Sequence, residues 1–302
     1  MNSLEETRPQ RSAPDLAAFQ PIPMSRVEKR KARNKQLRRA FVFGVIALIL
    51  LYFFAPIRTN LLLLGTDDSP NRGSLGRTDT IILTTVLPLK PYVGMLGIPR
   101  DLWVNIPNVG EQRINTAYFF AEAESPGSGA QAAVTSVSTI FGVTVDYYLV
   151  IHMTGLVEIV DLLDGIDIQL EKPMGGLAAG EHHLNGEALL AFVRERYSAS
   201  DFSRMQQGQI VISAMLKKLL SPTNWGKIPE LLITLPQVVE NNTPLWQYPR
   251  LGFALLRANF IGIDSRTIEH EMVTPFVTSG GAQVLLPNWA AINPVLLEIF
   301  GE

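Results

Sequence analysis

No cysteine occurs in the 302 residues, which excludes a disulfide framework, a cysteine zinc site, an iron-sulfur cluster and a thiol nucleophile. Histidine is scarce: His152, His182, His183 and His270 are the whole supply, and their spacing fits no metal-binding pattern. There is no Gly-rich P-loop ending in Gly-Lys-Ser/Thr, no Gly-x-Ser-x-Gly elbow, no His-Glu-x-x-His helix and no Gly-x-Gly-x-x-Gly turn. What remains is a chain 47% hydrophobic and 18% charged, with 23 Gly and 20 Pro dispersed along it, a composition suited to a packed globular protein.

The net charge of -2 hides an asymmetry, because residues 1 to 40 are net +6 and the remainder net -8. A basic head on an acidic body argues against nucleic acid as a partner, since the phosphate backbone needs a basic face on the folded part. Residues 41–57 carry no charged side chain, a run at the short end of the ~17 to 25 residues that cross hydrocarbon. Arg26, Lys29, Arg30, Lys31, Arg33, Lys35, Arg38 and Arg39 precede it, the asymmetry that keeps a flank in the cytoplasm. A buried core helix and a cleaved signal peptide are the competing readings. Tyr52, Phe53, Phe54 and Pro56 stand where a small-residue cleavage pattern would be. The organisation expected is a disordered basic cytoplasmic tail (1–40), a transmembrane helix (41–57) and one extracytoplasmic domain (58–302) in the plasma membrane.

In the body, strand and helix patterns alternate. Leu61–Leu64, Thr80–Val86 and Tyr92–Ile98 read as three buried strands, 131–141 as a helix, Val145–Ile151 as a strand, Leu156–Leu163 as a helix and Ile166–Leu170 as a strand. Asn185 is placed to cap a helix through Phe192. A longer helix follows over Met205–Leu220, helical segments over 224–258, a strand over Thr267–Val273 and a last helix over Ala290–Phe300. This is an α/β protein with a mixed sheet.

Connectivity indicates where chemistry would sit. If the first three strands run up, down and up, then Asp67, Arg77, Asp79 and Arg100 fall at one end of the sheet. Two carboxylates with two guanidiniums suit a divalent cation and a phosphate, because Mg²⁺ takes carboxylate and phosphate oxygens and Arg grips phosphate with a bidentate fork. A surface ion-pair cluster is the bland reading of the same residues. A second group is Arg194-Glu195-Arg196 with Asp201-Phe202-Ser203-Arg204. Arginines at i and i+2 point the same way only in extended chain, so joint action requires the preceding helix to end before Arg194; a solvated charged loop is the alternative.

These residues resemble the LytR-CpsA-Psr family of membrane-anchored cell-wall enzymes. Leu61 to Asp67 with Gly65, then Arg77-Thr78-Asp79-Thr80-Ile81, is similar to the family's Gly-x-Asp and Arg-Ser-Asp-Thr-Ile signatures. Ile98-Pro99-Arg100-Asp101 and Arg113-Ile114-Asn115-Thr116-Ala117-Tyr118 resemble its Ile-Pro-Arg-Asp and Lys-Ile-Asn-x-Ala-Tyr, and the likeness continues through Val145-Asp146-Tyr147-Tyr148 and Leu184-Asn185-Gly186 to Arg204. The chain departs from the pattern where Asp67-Asp68-Ser69 replaces Asp-x-Arg and where Gln207-Gly208-Gln209 replaces Arg-Gln-Gln.

The resemblance implies an α/β/α sandwich around a mixed sheet, with an apolar tunnel for a lipid. It implies transfer of a glycopolymer from a polyprenyl-pyrophosphate carrier to peptidoglycan, helped by Mg²⁺ (or Mn²⁺) on Asp67 and Asp79. Arg77 pairs with the metal-site carboxylates. Arg100, Arg113, Arg194, Arg196, Arg204 and Gln209 would bind pyrophosphate, with Asp101 as candidate base, all in one mouth facing the lipid surface. A polyprenyl-pyrophosphate phosphatase, a non-catalytic lipid-linked glycan binder and a membrane-bound regulator are the alternatives.

Overall fold

The computed structural model describes residues 25–66, 76–90, 92–195, 201–258 and 263–301, the side chains of 25–33, 201 and 232 excepted. Residues 1–24 of the expected tail, Asp67 and Arg196 therefore lie outside the described residues. The chain divides after Leu51 into a helical unit and a folded body, Tyr52–Glu302.

The first helix, α1 (Ser25–Phe54), begins well before the boundary expected at 41. Lys, Arg, Gln and Ala are good helix formers, so the basic run continues the apolar helix instead of fraying. Its stretch Asn34–Phe54 is long and apolar enough to cross a membrane and is unburied; 21 residues at about 1.5 Å each match a hydrocarbon core of about 30 Å. It stops at Phe54, not 57, because Ala55 precedes Pro56 and the ring disfavours helical backbone at the residue before it.

The body opens with a meander of β1 (Thr59–Thr66), β2 (Thr78–Leu87) and β3 (Tyr92–Gly97), then the hairpin β4 (Trp103–Ile106) and β5 (Gly110–Arg113). Helices α2 (Thr116–Glu124) and α3 (Gly129–Phe141) lead to β6 (Tyr147–His152), which lies parallel to β1. After α4 (Met153–Leu162) come the hairpin β7 (Ile166–Leu170) and β8 (Gly180–Leu184), then α5 (Gly186–Arg194), α6 (Asp201–Leu220) and α7 (Ile228–Val238). The chain finishes with β9 (Val239–Asn241), α8 (Tyr248–Ala258), β10 (Asp264–Thr267), the hairpin β11 (Val273–Val277) and β12 (Gln283–Pro287), and α9 (Trp289–Phe300). The main sheet has the order β10-β3-β2-β1-β6-β9, with β1/β6 and β10/β3 parallel and the other pairs antiparallel.

The four consecutive leucines of β1 explain the layers, since a strand apolar on both sides must be covered on both. Leu62 and Leu64 join Ile81, Leu83 and Leu96 under α3 and α9. Leu61 and Leu63 turn the other way with Ile82, Val86 and Met95, against α8 and Ile212 of α6. Further apolar contacts bind α4, α5 and α6 to β7 and β8. The arrangement is the α/β/α sandwich with a mixed sheet that the sequence implied.

Asn185 caps α5 as expected, its Oδ1 accepting from the Ala188 amide at 2.9 Å. The strand expected over Thr267–Val273 is two: β10 ends at Thr267, a 3-10 turn occupies His270–Met272, and β11 starts at Val273 in a separate hairpin. Because β1 starts at the end where α1 enters, its far end is eight residues away, about 25 Å at the usual rise of a strand.

Candidate active site

The register brings three chain segments together at that far end. Thr66 pairs with Thr78 beyond a bulge at Gly65/Thr66, and Ile82 pairs with Gly97, so the end of β1, the start of β2 and the end of β3 coincide as the connectivity predicted. The Arg113-Ile114-Asn115 segment is tied to the same place by backbone bonds, Ile114 N to Leu102 O at 2.8 Å and Asn115 N to Arg100 O at 3.3 Å. Thr78 Oγ1 also donates to Asn115 O at 3.3 Å. Motifs separated by dozens of residues thereby share one rim.

On that rim the side chains form a linked row. Arg100 Nη1 donates to Asp79 Oδ1 at 2.8 Å and its Nε to Asp101 Oδ2 at 3.3 Å. Asp101 Oδ1 makes an ion pair with Arg113 Nε at 2.9 Å, and Arg113 Nη2 donates to Gln283 O at 2.9 Å. All four side chains are 16 to 31% exposed, open enough to meet a ligand and enclosed enough to strengthen charge interactions above those in bulk water. Arg77, just before β2, holds its guanidinium 5.5 Å from the Phe119 ring centre.

Helix α5 ends on Arg194, not before it, and the backbone turns extended at Glu195. The partner arginine at 196 lies outside the described residues. A Cβ placed on Gly208 of α6 would come 3.0 Å from Thr80 Cγ2, so the helix rides directly over the residue next to Asp79. Arg204 stands about one turn earlier on the same helix, about 6 Å along its axis.

Gln209 is a correction. It was expected to grip pyrophosphate, but it is 5% exposed and its amide is committed to β10, donating to Arg266 O and accepting from Thr267 Oγ1, the latter at 3.1 Å. Gln207 is likewise buried and donates to Phe192 O at 3.2 Å. One residue escaped the sequence reading: His152, whose Nδ1 lies 2.8 Å from Thr66 Oγ1 at the rim. The signal was available, because a strand expected over 145–151 and running beside β1 delivers residue 152 to that end.

Below the rim, between the sheet and α4, α5 and α6, lies an apolar cleft lined by Leu63, Gly65, Thr80, Val193, Gly208 and Val211 among others. Its free volume is about 40 Å³, little more than one water occupies in the liquid. The rim stands at the end of β1 opposite its first residue, Thr59. Of the two carboxylates expected to hold a divalent cation, Asp79 is on the rim, and no cluster of three or more His, Asp or Glu suited to a metal exists among the described residues.

Residues 56–286 match the model of the LytR_cpsA_psr family. The polyisoprenyl-teichoic acid–peptidoglycan teichoic acid transferase TagU of Oceanobacillus iheyensis is 30% identical over 249 residues, 80% of this chain and 75% of that protein. The regulatory protein MsrR of Staphylococcus aureus is 28% identical over 195 residues, 62% of this chain and 57% of its own length. Two solved structures share the fold: B. subtilis TagV, with a TM-score of 0.66 at 22% identity over 82% of this chain and 98% of that one, and TagT bound to LIIa-WTA, at 0.63 and 24% over 81% and 91%. With the family model covering most of the folded body and the motif residues gathered on one rim, this chain belongs to the LytR_cpsA_psr family.

Proposed function

We propose that this chain transfers a glycopolymer from a polyprenyl-pyrophosphate carrier to peptidoglycan on the outer face of the plasma membrane, releasing polyprenyl phosphate. The observation that carries the reading is the row Asp79, Arg100, Asp101 and Arg113 on one rim, where guanidiniums alternate with carboxylates as a diphosphate with a divalent cation requires. The relatives' name supports it, since TagU is by its name a transferase between a polyisoprenyl-linked teichoic acid and peptidoglycan.

In the reaction an acceptor hydroxyl oxygen attacks the phosphorus on the glycan side of the diphosphate. The bond from that phosphorus to the bridging oxygen breaks, polyprenyl phosphate departs and the hydroxyl proton passes to a base or to water. Arg100, Arg194, Arg196 and Arg204 neutralise the diphosphate and the charge that builds on it, the largest kind of catalytic contribution in most enzymes. Asp101, with both carboxylate oxygens already held by Arg100 and Arg113, fixes the direction of those guanidiniums. Arg77, stacked on Phe119, adds positive charge beside Asp79.

Asp79 and Asp67 would hold Mg²⁺, or Mn²⁺ in its place, which when bound supplies positive charge to the phosphate oxygens. The donor chemistry fits, because Mg²⁺ takes one or two carboxylates and draws its other ligands from phosphate and water, and Arg100 occupies one Asp79 oxygen. The test is the full chain in vesicles with a polyprenyl-pyrophosphate glycan, peptidoglycan and Mg²⁺. Polyprenyl phosphate should appear with acceptor and lose ≥ 10²-fold in rate, roughly the loss of one charge-stabilising group, in Asp79→Asn. Equal release without acceptor would make it a hydrolase, and no release under either condition would refute both enzymatic readings.

A further inference from the structure

The last turn of α1, Tyr52 to Phe54, does not end free. Phe53 and Phe54 meet Phe253 edge to face, with ring centres 5.2 and 5.4 Å apart. Arg257 lies over Phe54 and Phe253 at 5.0 and 5.6 Å, and the buried Arg250 donates to Ile57 O at 2.6 Å. Tyr52 O–H also donates to the backbone carbonyl of Trp246. A residue belonging to the apolar stretch Asn34–Phe54 is thus bonded to the knuckle Leu245–Gln247 that opens α8.

That knuckle is apolar and bare. Leu245 is 85% exposed and Trp246 58%, with Ile57 at 61% nearby in the chain and Tyr248 at 39%. Water-exposed Leu and Trp in adjacent positions are unusual on a soluble face, whereas Trp and Tyr are the side chains that settle at headgroup level, apolar body inward and polar edge outward. Charge does not oppose that destination: from Asn241 to Ala258 there is no Asp or Glu to be repelled by anionic lipid.

We propose that Leu245 and Trp246 insert into the headgroup-acyl boundary of the bilayer that α1 crosses, a second and amphipathic contact that fixes how the body stands on the membrane. The occupant is lipid because the knuckle is continuous with the apolar helix: a group hydrogen-bonded to Tyr52 sits at the depth at which that helix leaves hydrocarbon. The proposal rests on reading Asn34–Phe54 as a span, independently of the chemistry at the rim.

The absence of cysteine makes the test direct. Full chain carrying a single introduced cysteine, Leu245→Cys, Val109→Cys or Ala47→Cys, is spin-labelled in vesicles of zwitterionic and anionic lipid. Collision with oxygen, which concentrates in lipid, is compared with collision with a water-soluble nickel chelate. A label at 47 should favour oxygen strongly, one at 245 should favour oxygen with a shallower depth, and one at 109, in the exposed turn between β4 and β5, should favour nickel. A label at 245 that behaves like 109 while 47 remains in lipid overturns the second contact alone. A label at 47 that favours nickel overturns the span and the contact with it.

Discussion

Replacing Arg100 by Ala separates a catalytic row from a merely structural one. In the folded protein Arg100 pairs with Asp79 at 2.8 Å and with Asp101 at 3.3 Å, among side chains 16 to 31% exposed. Partly exposed ion pairs contribute about 0 to 1 kcal/mol each, so the two together sustain at most about 2 kcal/mol. For a body of this size that is a fall in Tm of roughly 4 to 8 °C, at about 2 to 4 °C per kcal/mol. Removing one preorganised donor to charge that develops in a transition state costs about 2.7 to 4 kcal/mol, 10² to 10³ in rate. The activity loss should therefore exceed what instability explains. Arg100→Lys, which keeps the charge and loses the fork, should fall between wild type and Arg100→Ala. Differential scanning calorimetry and polyprenyl phosphate release on the same preparations provide both numbers. A rate reduced less than 10-fold beside a large fall in Tm would show that the row only braces the sheet end.

Other outcomes are fixed by geometry elsewhere. The carboxyl of Asp264 lies below the usual carboxylate range because Arg266 and Tyr92 donate to it; that stabilisation is present above the unfolded pKa and lost as pH falls through the depressed folded value, so Asp264→Asn should lose about 1 kcal/mol at pH 7 and progressively less as urea titrations are taken to acid below the ordinary carboxylate range. Gly155→Ala should destabilise by about 1 to 3 kcal/mol, since the new Cβ would meet the Val238 carbonyl oxygen at 2.6 Å. Gly252→Ala within α8 meets nothing within 4 Å and should stabilise by up to about 1 kcal/mol through helix propensity, a difference that thermal melts resolve.

How much of this was legible in the sequence depends on how the signal is stored. The leucine run of β1, the β-rich Thr80–Val86 and the turn around Pro88 announce strands by composition, and Asn185 announces a helix start by its side chain. The short hairpin strands β4, β5, β8 and β12 are four or five residues each and mostly half exposed, so neither alternation nor an apolar run marks them. The three-residue β9 exists only because β6 offers an edge to pair with. At the site, motif residues could be named but their allegiances could not. Gln209 and Arg100 are both polar residues near the right end of an element; one is claimed by β10 and the other by Asp79, a distinction made by packing angle rather than by residue type. Connectivity did reveal that three strand ends coincide, because a meander of adjacent antiparallel strands leaves no other arrangement.

The length of β1 has a consequence for the site as a piece of engineering. With its foot clamped through Arg58 to Ile299 O at 2.7 Å and its length fixed by pairing on both sides, β1 is a rigid pylon, and the height of the workbench above its base is not adjustable. Neither end of that strand can shift without breaking ladder bonds to β2 or β6, so the spacing between the foot and the charged row is a constant of the fold, and a substitution at one end cannot be absorbed by sliding at the other.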